Sequence, residues 1–210
     1  MRRNYNLEII RMISCIFVIV IHVTNYFCRA YGEITQSEYL FALLLDTLAR
    51  VSVPCFFMIS GALLLGREEP LKKHRERLLR FLIALVVWSV VYYIWNRAFM
   101  KTEYNLKEIL YVPTEPHLWY LYAMIPIYMV LPFFQVMCKG MSRKLERTLL
   151  VVCGASVVFN YMVSLQNGEA YYDLPLVGDK VYMFYIFIGY FIYKYRREIR
   201  ISQKGLSGIK

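Results

Sequence analysis

The feature that most constrains this chain is a recurrence. Apolar, nearly charge-free runs of membrane-spanning length return along the whole 210 residues, separated by short connections in which the charge is concentrated. About 20 such residues are needed to cross the hydrocarbon layer of a bilayer as a helix. Residues 118–138 and 148–168 contain no charged side chain at all. A soluble domain buries one core and interrupts its apolar runs with polar faces, so this recurrence excludes a soluble fold. Composition agrees, with 59% of residues hydrophobic and 19% charged, against about 25% charged in soluble domains.

Six spans are expected, at about 9–28, 41–66, 79–97, 118–138, 147–165 and 177–195. The sixth is the shortest in apolar terms, because its charge-free stretch VYMFYIFIGYFIY covers only 181–193. The connections test the count, since cytoplasmic loops near span ends are enriched in Lys and Arg. Arg2 and Arg3, the loop REEPLKKHRERLLR, the loop CKGMSRKLER and the tail KYRREIR are basic. RAYGEITQSEY, RAFMKTEYNLKEILYVPTEP and QNGEAYYDLPLVGDK are neutral or acidic. This alternation predicts an all-α polytopic helix bundle with six transmembrane helices and both termini in the cytoplasm, in the inner or plasma membrane. Residues 1–195 form the membrane domain and 196–210 a basic cytoplasmic tail. The net charge of +10 is explained by topology and contact with membrane lipids, and no nucleic-acid partner is expected, because the basic residues fall in short clusters between spans.

The start MRR followed by an apolar run is not read as a cleaved signal, because Glu8, Arg11 and His22 interrupt it. The five cysteines lie in or beside apolar runs with no metal-ligand spacing, and are expected to be reduced packing residues. Pro54, Pro126 and Pro132 fall within spans and should kink or open them.

Ionisable groups inside such spans are costly and mark function by default. Arg11 and His22 bracket ten uncharged residues. Eleven helical steps of about 100° return to within about 20° of the start, so both side chains leave one face, about 16 Å apart along the axis. Glu8 lies one turn before Arg11 and is placed to pair with it. In the second span Asp46 and Arg50 are four apart, also at pairing distance, and at a depth that brackets His22. If the first two helices are neighbours, Asp46 is placed to orient the imidazole and raise its basicity. Arg77 and Arg80, three apart at the start of the third span, present two guanidinium groups suited to phosphate. The plainer readings are that Arg11 snorkels to the surface, that His22 bonds a neighbouring carbonyl, and that the basic loop is a topology signal or a lipid contact.

Together these stretches carry a resemblance. The Arg11 to His22 spacing, the segment VPCFFMISGALLL from Val53 to Leu65, the Arg77/Arg80 pair and HLWYL from His117 to Leu121 resemble, in order and spacing, the membrane acyltransferase 3 family. The resemblance implies an integral membrane O-acyltransferase. Acyl-CoA, acetyl-CoA above all, is its donor substrate, with no permanently bound cofactor and no metal, and a hydroxyl of a surface carbohydrate or lipid-linked sugar is its acceptor. It implies His22 as catalytic base, Arg11, Arg77, Arg80 and Ser60 along the donor path, and His117 and Trp119 near the acceptor, while Asp46 and Arg50, by their spacing and depth, are expected to orient the imidazole. Ser60 reads equally as a packing residue, and His117 with Trp119 equally as an interfacial anchor. The family's domains usually carry more spans than six, so the chain corresponds to the N-terminal portion of one, or needs self-association or a partner subunit to complete its cavity. The rival readings are a transporter- or permease-like bundle using the same polar groups as a pathway, and a bundle or fragment without chemistry. No internal repeat favours the transporter.

Overall fold

The computed structural model describes residues 4–67, 69–101, 111–166 and 181–207, with side chains as far as residue 198. Among the described residues the regular elements are all helical. They are α1 (Tyr5–Arg29), α2 (Gln36–Ala49), α3 (Ser52–Leu64), α4 (Leu71–Trp95) continued by a π-helical turn (Asn96–Met100), a short 3-10 turn (Pro116–Leu118), α5 (Trp119–Gly140), α6 (Arg143–Leu165) and α7 (Tyr182–Ser207). Five segments are each long and apolar enough to cross a membrane: 5–29, 36–64, 71–100, 116–140 and 143–165. The sixth expected span meets the described chain in the first half of α7, while residues 177–180 lie outside the described residues.

The helices run past the expected span ends for a physical reason. Backbone hydrogen bonding continues into the interface, where water and headgroups accept charged side chains, so apolarity ends before the helix does. Most of the basic stretch REEPLKKHRERLLR is thus already α4, whose N-cap is Pro70. The expected tail 196–210 is likewise helical as far as Ser207. At the opposite end α2 begins at Gln36, earlier than expected. Thr35 and Glu38 form a reciprocal capping box there, which satisfies two otherwise orphaned amides.

The second span breaks in two. Pro54 has no amide hydrogen to donate to the carbonyl of Arg50, and its ring crowds that carbonyl. The helix accordingly ends at Ala49 and restarts at Ser52. Pro126 and Pro132, by contrast, lie inside an α5 that stays continuous.

Two compact units result, one made of residues 1–66 with 141–210 and the other of 67–140. In the first, α3 and α7 meet backbone to backbone. A Cβ on Gly61 would lie 1.9 Å from the carbonyl oxygen of Ile186, and one on Gly189 would lie 2.0 Å from that of Met58. Only glycine fits at either place. In lipid no hydrophobic force separates helix from solvent, so such close approach supplies the van der Waals contact that holds helices together. Phe57 and Phe187 are fully buried in this unit, with Phe57 stacked on Tyr182 at 4.5 Å between ring centres. α6 is joined to α7 by Glu146, a buried carboxylate bonded to Lys194 and the Tyr195 hydroxyl.

In the second unit α4 packs on α5. Phe81 meets Tyr128 at 4.7 Å, and Tyr92 meets His117 edge-on at 4.9 Å. The buried Asn96 donates to Glu115 at 2.8 Å.

The glycine crossing gives a direct test. Gly61→Ala and Gly189→Ala should each destabilise the detergent-solubilised protein by about 1–3 kcal/mol, the cost of overpacking, read as a lowered thermal midpoint. Gly154→Ala, whose Cβ would meet only the Phe184 ring at 3.5 Å, should be neutral or slightly stabilising.

Candidate functional site

Within the first unit, α1 is one unbroken helix from Tyr5 to Arg29. Arg11 and His22 therefore keep the common face that their spacing gives them. Arg11 Nη1 lies 3.1 Å from both carboxylate oxygens of Glu8, in the pair expected from the sequence. The cation is held one turn from the helix start without being sealed away.

The second polar centre sits where α2 ends. Asp46 is 4% exposed, and its Oδ2 accepts from Arg50 Nε at 2.7 Å. Arg50 stands at the C-terminal end of α2, where a cation also complements the helix dipole. Its side chain is 67% exposed, so the pair is a buried acid reached by a cation from outside. Asp46 Oδ1 lies 3.3 Å from the Thr24 hydroxyl of α1. That hydroxyl also lies 2.9 Å from the Val20 carbonyl and 3.3 Å from that of Ile21, so its single proton is shared among three acceptors. This contact makes α1 and α2 neighbours at the depth of His22, as the sequence reading required.

Thr24 follows His22 by two residues, about 200° around the helix. The side of α1 that meets Asp46 is thus not the side that carries the imidazole, and the two Asp46 oxygens are engaged by Arg50 and Thr24. His22 is exposed. Thr24 itself escaped the sequence reading. Its only signal was a hydroxyl within an apolar run, and such residues commonly bond back to their own helix.

Ser60 illustrates that commoner behaviour, donating to the Phe56 carbonyl one turn back at 2.9 Å. Nearby Ser52, at the start of α3, is fully buried, and its hydroxyl has no hydrogen-bond partner among the described residues. Of the cysteines, all of them free, Cys138 and Cys153 are buried.

Within the second unit, Arg77 is bound and Arg80 is not. Arg77 grips Glu69 with both terminal nitrogens, Nη2 to Oε1 at 2.9 Å and Nη1 to Oε2 at 2.6 Å. Arg67 Nη1 lies 3.5 Å from the same Oε1. The Arg77 hydrogen bond holds the Glu69 carboxyl below the usual carboxylate range, assisted by the charges of Arg67 and Lys73 and opposed by burial. Arg80 is exposed, with no ionic partner among the described residues. At the other end of the unit His117 is exposed and touches Tyr92, and Trp119 opens α5 beside Tyr120. Neither Glu69 nor His74, buried one turn before Arg77, stood out in the sequence, because both lie in a stretch that reads as a basic loop.

Arg11, His22, Asp46, Arg50 and Ser60 belong to the first unit, and Arg77, Arg80, His117 and Trp119 to the second. No curated protein and no solved structure matches the chain. The model of the acyltransferase 3 family, described as an acyltransferase domain, matches residues 4–209. That match takes in nearly the whole sequence and the helices of both units, so the chain belongs to the acyltransferase 3 family and is a multi-pass membrane acyltransferase.

Proposed function

We propose that the protein transfers an acyl group, most simply acetyl, from cytoplasmic acyl-CoA to a hydroxyl of a cell-surface carbohydrate or a lipid-linked sugar. The observation that carries the reading is the continuity of α1 from Tyr5 to Arg29. It holds a guanidinium near one end and an imidazole about 16 Å further along the same face. Acyl-CoA has a matching polarity, with its phosphates at one end of the pantetheine arm and its thioester at the other. The basic connections support a cytoplasmic side for Arg11, Arg77 and Arg80 in this scheme, the side from which the donor arrives.

In this scheme Arg77 and Arg80 take the donor phosphates, with Arg11 beside the arm. His22 accepts the proton of the acceptor hydroxyl as its oxygen attacks the thioester carbonyl. The C–S bond then breaks, and the imidazolium returns the proton to the departing CoA thiolate. His117 and Trp119, at the opposite interface, receive the sugar. Asp46 and Arg50 act at one remove. By holding Thr24 they fix the rotation of α1 and thereby the direction in which His22 points.

His22→Ala should lower acetyl transfer from labelled acetyl-CoA to envelope carbohydrate by about 10²–10⁴-fold, the usual share of a general base, with insertion and thermal midpoint unchanged. Transfer at the original rate would overturn its assignment as base. Thr24→Val, which removes one hydroxyl at constant shape, should lower kcat about fivefold for a hydrogen bond of about 1 kcal/mol. The KM for the donor should not move, and Thr24→Ser should restore the rate. A kcat insensitive to Thr24→Val would end the positioning role.

A further inference from the structure

The strongest feature left unused is the Glu69 ion pair. The carboxylate is about nine-tenths buried, at 10% side-chain exposure, in the connection between α3 and α4. It takes both arms of the Arg77 fork and stands near Arg67. As a stabilising device the pair is poorly chosen, since desolvating two charges offsets most of what their attraction returns. As an occupant it is well chosen, because a two-pronged carboxylate uses the same guanidinium geometry as a phosphate.

The surroundings hold more hydrogen-bonding capacity than Glu69 can use. Arg67 Nε is buried with no acceptor among the described residues. His74 is 5% exposed, and neither ring nitrogen has a hydrogen-bond partner among them. Buried polar atoms without partners are rare and call for an explanation. A carboxylate has two oxygens; Arg77 hydrogen-bonds one and holds the other by charge alone, so that its Nη1 also has no hydrogen-bond acceptor among the described residues. A terminal phosphate has three, so one placed on Arg77 brings the acceptor that Arg67 and His74 lack.

We propose that Arg67, His74 and Arg77 form a phosphate cradle which Glu69 closes in the donor-free protein, and that a phosphate of the donor binds by displacing the Glu69 carboxylate. The proposal rests on the reading of Arg77 as a donor-phosphate partner, and adds to it a competitor and two ligands. All four residues belong to one unit of the fold. The carboxyl is ionised at neutral pH, as its lowered pKa requires, so the competitor is charged whenever the donor arrives. A site occupied by its own lid nine-tenths of the time loses about tenfold in apparent affinity.

The test measures CoA binding to the full chain in detergent by calorimetry, with pantetheine, which lacks phosphate, as the control ligand. Glu69→Gln should tighten CoA about tenfold and leave pantetheine unchanged. Glu69→Asp, whose shorter arm breaks the two-pronged contact while keeping the charge, should tighten it less, and it serves as the reading should the Gln variant fail to fold. If Arg77→Gln weakens CoA while both Glu69 variants leave it unchanged or weaker, the gate is refuted and the donor reading survives. If Arg77→Gln leaves CoA binding intact, the donor reading falls and the gate with it. In the Glu69→Gln background, His74→Leu should weaken CoA about threefold, as loss of one modest hydrogen bond does. An unchanged value there would remove the imidazole from the cradle.

Discussion

The fold of the first unit depends on two glycines. Gly61 of α3 and Gly189 of α7 each lie where a methyl group would overlap the backbone of the opposite helix. In water such a crossing would be one contribution among many. In a bilayer, where lipid tails are as apolar as leucine, close packing is one of the few forces left to choose a partner helix. Fixing α3 against α7 fixes what α3 is attached to. Its N-terminus follows the break set by Pro54, and α2 ends there with Asp46 and Arg50. Through Thr24 that end reaches α1. A backbone contact between two late-meeting segments therefore governs how the helix carrying His22 is held.

The buried charges follow a common pattern. Asp46 is answered by Arg50, Glu69 by Arg77 and Arg67, and Glu146 by Lys194 with Tyr195. Each acid is almost fully enclosed, while at least one of its cations reaches outward. An isolated carboxylate within this much apolar surface would be driven to its neutral form. A long cation that carries its charge toward the interface lowers that penalty without being desolvated itself. The pattern explains why these acids stand at helix ends or in a connection and not at mid-helix.

How much of this was legible in the sequence follows from the kind of force involved. The spans were legible because solvation by lipid is a sum over residues, and charge-free runs report that sum directly. Their ends were not, because helical hydrogen bonding outlasts apolarity, as the basic start of α4 shows. The pairings of Glu8 with Arg11 and Asp46 with Arg50 were legible, being set by spacing within one helix. The Thr24 contact was not, since nothing in a single strand of sequence says which face of α1 meets α2. The contact of Asp46 with Thr24 was hidden for that reason: depth can be counted along a helix, but azimuth between two helices cannot. Gly61 and Gly189 were visible only as small residues, and Glu69 was hidden by a basic loop that topology alone accounted for.

The same basic loop poses a problem that Glu69 answers. On the proposed topology, a cytoplasmic leaflet surrounds such a loop with lipid phosphates at high local concentration, and each cation near it is attracted by about 1 kcal/mol. An open arginine site would therefore stand filled by headgroups. An internal carboxylate sets a threshold instead. On that proposal, a headgroup offering a single phosphodiester must displace an intramolecular partner already bound through one hydrogen bond and a second ionic contact. In the same proposal, a donor that carries several phosphates would meet Arg80 as well, the exposed cation one turn away. Selectivity for a polyphosphorylated donor over abundant lipid then comes from what must be displaced as much as from what is gained, which is the usual way specificity is separated from affinity.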